Sequence, residues 1–151
     1  MSGEKAKKQK TAKTQINTLI KVNNTRIQKQ ENEIAKLMAK KNKVLNLLDE
    51  KDKEIQDMIL ERNDFKSNYF KKLPGKVFNT QQVNFFRNNL EIFEFKITDL
   101  RSQKEKIQKE LNLIELNISK HKAELKKYSF KHEKYDYLKL SFGWILWRRA
   151  R

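Results

Sequence analysis

The sequence predicts an all-α fold: a long antiparallel two-helix coiled-coil hairpin. Three observations predict it. The 151 residues include only three Gly and one Pro, the residues that turns require. Charged residues make up 36% and hydrophobic residues 37%, a mixture that suits long helices better than a disordered chain or a packed globule. Apolar residues recur at heptad spacing on both sides of one strong break, Leu73-Pro74-Gly75.

The elements follow in order. Residues 1–13 contain Lys5, Lys7, Lys8, Lys10 and Lys13 with no apolar run, so a disordered or frayed basic N-terminus is expected, and no signal peptide. The first long helix is expected over 14–72. Its interleaved series are Ile20, Ile27, Ile34, Lys41, Leu48, Ile55, Arg62, Tyr69 and Ile16, Asn23, Gln30, Leu37, Val44, Lys51, Met58, Phe65. The turn spans 73–79, since Pro disfavours helix before it and Gly supplies turn conformations. Asn79 can cap the next helix, with Gln82 three residues on completing a capping-box variant and Phe78 and Val83 forming a hydrophobic staple.

The second long helix is expected over 80–147. One series runs Phe86, Phe93, Leu100, Ile107, Ile114, His121, Tyr128, Tyr135, Phe142; the other runs Leu90, Ile97, Lys104, Leu111, Ile118, Leu125, His132, Lys139, Leu146. This unbroken alternation is the mark of a coiled coil. At about 1.5 Å per residue the helices would be roughly 85 and 100 Å long. A basic end, 148–151, follows.

A short link makes the helices antiparallel neighbours. If paired residue numbers add to 155, nine apolar layers form, among them Tyr69 with Phe86, Phe65 with Leu90, Met58 with Ile97 and Ile27 with Tyr128. A slide of one heptad, to 148, leaves six. The 155 register sets Lys51 opposite Lys104, with Glu50, Asp52, Glu54 and Glu105 near enough to supply counter-charge.

The chain has 35 Lys and Arg against 19 Asp and Glu, a net charge of +16. Residues 1–15 carry +4 and residues 119–151 carry +7, so a hairpin collects most of the charge where its ends meet. That favours an acidic partner.

Catalytic chemistry has little to work with. There is no Cys, no Gly-rich phosphate loop and no nucleophile motif. His121 and His132 fall on seam positions without a local metal-ligand arrangement. No cofactor, metal or catalytic residue is expected, and no stretch approaches the roughly 20 apolar residues that span a bilayer. Two features stand out instead. Aromatic and aliphatic residues crowd the turn, with Phe85, Ile92 and Phe95 off the seam; they either widen the face that closes the tip or bind a partner. The tail places Trp144 and Trp147 beside Arg148, Arg149 and Arg151. Those Trp could anchor in a protein pocket, sit at a membrane interface or pack on the first helix.

The second helix carries a resemblance. The run from Ile97-Thr98-Asp99-Leu100 through Ile107, Glu124-Leu125 and Lys126-Lys127 to Tyr128 and Tyr135 is similar in order and spacing to the central-stalk proteins of type III secretion systems, the FliJ, YscO and InvI group. Trp144 followed by basic residues has a counterpart in the injectisome members, and Gln81-Gln82 resembles the flagellar ones. The resemblance covers about residues 16–148; the long apolar tail end and the high Lys content depart from it.

The resemblance implies a stalk in the pore of the hexameric export ATPase, linking it to the nonameric export gate and also binding export chaperones. It implies a cytoplasmic protein at the inner face of the inner membrane, with any peripheral membrane association made through other subunits. Carried onto this chain, Lys5, Lys7, Lys8, Lys10, Lys13, Lys126, Lys127, Arg148 and Arg149 become candidates for acidic ATPase loops. Phe70, Val77, Phe78, Gln81, Gln82 and Phe85 become gate-side candidates. The alternative is a basic coiled-coil module for nucleic acid or an anionic membrane surface, with a steep salt dependence on nucleic acid.

Overall fold

The computed structural model describes residues 2–73, 75 and 78–149, without the side chains of Ser2, Phe142 and residues 144–149. The fold is an all-α helical hairpin. Helix α1 runs Ser2–Asn68 and helix α2 runs Thr80–Arg149; there is no strand among the described residues.

Helix α1 differs from expectation at both ends. It begins at Ser2, so the segment expected to fray is helical. Its Ala, Lys and Gln residues are strong helix formers, and the hydroxyls of Thr11 and Thr14 find partners within the helix, the carbonyls of Lys7 and Lys10. At the other end α1 stops at Asn68, four residues before Lys72. Single backbone bonds from Tyr69 to Phe65 and from Lys72 to Asn68 continue the winding briefly.

The link then turns at Gly75, whose φ of +100° is a conformation that side chains other than glycine's rarely tolerate. Pro74 and Val77 lie outside the described residues. Helix α2 starts where the sequence places it. The Gln82 backbone N–H donates to Asn79 Oδ1 at 2.8 Å, and the Asn79 N–H donates to Gln82 Oε1 at 3.0 Å. Two otherwise orphaned donors are thereby satisfied. Phe78 turns to Phe70, with ring centroids 4.5 Å apart.

Two compact units divide the hairpin, each an antiparallel pair of helical segments. The first comprises Met1–Ala39 with Glu115–Arg151; the second comprises Lys40–Ile114.

The second unit holds the stronger core. Val44, Leu48, Ile55, Ile97, Leu111 and Ile114 are buried, and Ile97 is only 1% exposed. Its register is the 155 one. Tyr69 stacks on Phe86 at 5.6 Å. Phe65 lies 5.5 Å from Phe86 and 5.6 Å from Phe93, which centres it on Leu90. A one-heptad slide would carry Phe93 about 15 Å along the axis from the residue opposite Phe65. The Lys51–Lys104 layer resolves as the flanking acids suggested: Lys51 reaches Glu54 at 3.3 Å and Lys104 reaches Asp52 at 2.5 Å.

The first unit has a more polar seam. Ile16 and Ile118 are its buried aliphatic residues, and Asn23 is 3% exposed. Asn23 Nδ2 donates to the Tyr128 carbonyl at 2.8 Å, and His121 Nδ1 meets Gln30 Oε1 at 2.5 Å. Both pairs add to 151, one turn from the 155 layers. The seam departs from expectation at Lys139, which is exposed, while Leu138 is half-buried instead. An α-helix advances slightly past each heptad, and the apolar neighbour takes the inward position. The Phe142 and Leu146 side chains lie outside the described ones.

Candidate functional site

Two surfaces gather the residues singled out by sequence, one in each unit. The first is an aromatic cluster where the second unit turns. Phe70 contacts Tyr69, Phe78 and Phe86 at 5.0, 4.5 and 4.8 Å. Phe85 stacks on Tyr69 at 5.6 Å yet remains 54% exposed. The Tyr69 hydroxyl donates to the Gln82 carbonyl at 3.3 Å. Phe70, Phe85 and the Gln82 carbonyl therefore meet Tyr69, Phe78 joins the cluster through Phe70, and Gln81 is exposed beside them.

Their availability differs. Phe70 is half-buried and serves the cluster, and the Gln82 side-chain carbonyl is held by the Asn79 N–H. Phe85 and Phe78 keep the most accessible ring surface of the four. Val77 is outside the described residues. Farther along α2, Ile92 and Phe95 are 52% and 73% exposed and line a shallow groove with Asn88, Glu91 and Lys96. The off-seam residues thus split: Phe85 closes the cluster, whereas Ile92 and Phe95 face outward.

The second surface is electrostatic. The unit that holds both chain ends contains 19 Lys and Arg against 7 Asp and Glu, a net of +12; the other contains 16 against 12, a net of +4. Lys5, Lys7, Lys8 and Lys10 are exposed and Lys13 is half-buried. At 100° per residue these five point to all sides of α1, so they form a charged sleeve rather than a stripe. Lys126 and Lys127 are both exposed on α2. The side chains of Trp144, Trp147, Arg148 and Arg149 lie outside the described ones. Exposed ammonium groups of this density act through summed field more than through single pairs.

Leu116 and Leu113 read from sequence as extra apolar positions off the seam, open to a dimer or four-helix assembly, but the outward placement of Phe130 and Tyr137 was missed. Leu116, Phe130 and Tyr137 are 52%, 66% and 71% exposed. With Ala123 they form a heptad series of their own on the side of α2 away from its seam. Removing the seam series from the sequence and testing the remaining apolar residues for period seven would have found it.

No three His, Asp or Glu side chains among the described residues converge as a metal site. No helix of the described residues is long and apolar enough to cross a membrane. No family model, curated protein or solved structure matches this chain.

Proposed function

We propose that this chain is the non-enzymatic central stalk of a type III secretion export apparatus. In this reading the unit bearing both termini enters the pore of the hexameric export ATPase. The aromatic cluster of the other unit engages the nonameric export gate, and export chaperones dock on the same chain. The protein works in the cytoplasm, at the inner face of the inner membrane.

The observation that carries the reading is the division of charge. A helical hairpin concentrates +12 in the unit where its ends lie and leaves +4 in the unit closed by aromatic rings. A shaft between an acidic pore and an apolar partner needs that asymmetry. Electrostatic complementarity would guide insertion and fix which end enters, while Phe78 and Phe85 offer the ring surface that interface anchors commonly use. Such a part needs no active site of its own.

Co-purification tests it. The tagged full chain, expressed in its own cell, should bring down a hexameric secretion ATPase in low salt and lose it as ionic strength rises. Reversing Lys5, Lys7, Lys8 and Lys10 to Glu should abolish the capture, while Phe85→Ser should not. Recovery of no secretion ATPase under gentle lysis would defeat the proposal.

A further inference from the structure

The basic unit presents an outward apolar row that the stalk reading does not use. On α2 the residues Leu116, Ala123, Phe130 and Tyr137 recur every seven positions and are all exposed. Lys120, Lys127 and Lys134 recur at the same interval in the adjoining row, and all three are exposed. Lys126 stands on the other side of the aromatic row.

We propose that this face of α2 binds an anionic lipid surface, lying in the interface plane. Phe130 and Tyr137 form a ridge rather than a groove. A ridge suits insertion between headgroups, where aromatic side chains with amphipathic surroundings settle. Lysines on both flanks can extend outward to lipid phosphates while their stems cover the ridge. Each strengthens binding near an anionic leaflet about fivefold.

A partner helix is the weaker occupant. A second coiled-coil seam needs apolar residues in both rows of the heptad, and here one row is lysine. The net charge of +12 on this unit supplies the complementarity for phosphate headgroups. Glu115, Glu124, Glu133 and Asp136 border the ridge as well, and Lys120, Lys122, Lys126, Lys127, Lys131 and Lys134 outnumber them. Lys126 and Lys127 are also candidates for the ATPase pore, so lipid and pore exclude each other there. The inference does not depend on the stalk reading.

Flotation of the full chain with vesicles tests it. The chain should float with mixed phosphatidylcholine–phosphatidylglycerol vesicles and stay down with phosphatidylcholine alone. Phe130→Ser with Tyr137→Ser should weaken binding about tenfold or more. Lys127→Glu with Lys134→Glu should weaken it at least as much. Unchanged circular dichroism would show that both exposed-site variants still fold. Equal flotation on neutral lipid, or wild-type flotation of the aromatic variant, would overturn the proposal. So would duplex DNA stripping the chain from vesicles at the same salt, which would make nucleic acid the preferred occupant.

Discussion

Asn23 donates its side-chain N–H to the backbone carbonyl of Tyr128, 2.8 Å away across the seam of the basic unit. The bond sets a polar layer between two that pair Ile with Tyr, Ile20 with Tyr135 and Ile27 with Tyr128. Asn23 Oδ1 and His132 Nδ1 are both buried with no hydrogen-bond partner among the described residues, and positions 23 and 132 share one 155 layer. A buried polar group of this kind specifies register at a cost in stability. Replacing both residues, Asn23→Leu with His132→Leu, should therefore stabilise the protein by about 1–3 kcal/mol, read as a higher melting temperature by circular dichroism. A lower melting temperature would mean that the polar layer contributes net stability.

Ile97 should be the most sensitive core position. It is 1% exposed, and truncation would leave a gap that neighbours on two helices can only partly fill. Ile97→Ala should cost about 2–5 kcal/mol in urea unfolding. Phe95→Ala, two residues away but 73% exposed, should change stability by less than about 0.5 kcal/mol. Equal costs would place the seam elsewhere on α2.

The start of α2 depends on the reciprocal Asn79–Gln82 bonds. Asn79→Ala should cost about 1 kcal/mol and speed amide exchange in the first turn around Gln82 and Val83. Protection unchanged there would show that packing of Phe86, not the cap, holds this end.

Gly75 gives a test free of packing. Its φ is +100°, and a Cβ built there meets nothing within 4 Å. Gly75→Ala should still destabilise by about 1–2 kcal/mol, through backbone conformation alone. A neutral substitution would mean that the link adopts another turn.

Much of the fold was legible because a long coiled coil writes itself in one repeating pattern. The seam positions from Ile16 to Tyr69 and from Phe86 to Tyr135 are all buried or half-buried, and the Asn79 cap falls where its residue type and spacing put it. The ends were less legible. Helix α1 begins at Ser2 because helix propensity in a Lys-, Ala- and Gln-rich segment persists without an apolar stripe. It stops at Asn68 although the heptad runs on to Tyr69, since the ring of Tyr69 is held by Phe86 whether or not its backbone is helical.

The candidate surfaces were only partly legible. Charge can be counted along a sequence, so the basic end was visible. Exposure cannot: Phe70 and Phe85 read alike, yet one is packed inside the aromatic cluster and the other is half open. The outward row of Phe130 and Tyr137 was hidden because its period equals that of the seam.

The central claim is that this chain couples to a rotary-type export ATPase, and the rate of ATP hydrolysis tests it most directly. Added to the purified secretion ATPase of its own cell, the chain should raise the rate and saturate at one chain per hexamer. Glu replacements at Lys5, Lys7, Lys8 and Lys10 should remove the effect. A hydrolysis rate and hexamer population that stay the same at every concentration of the chain would contradict the account.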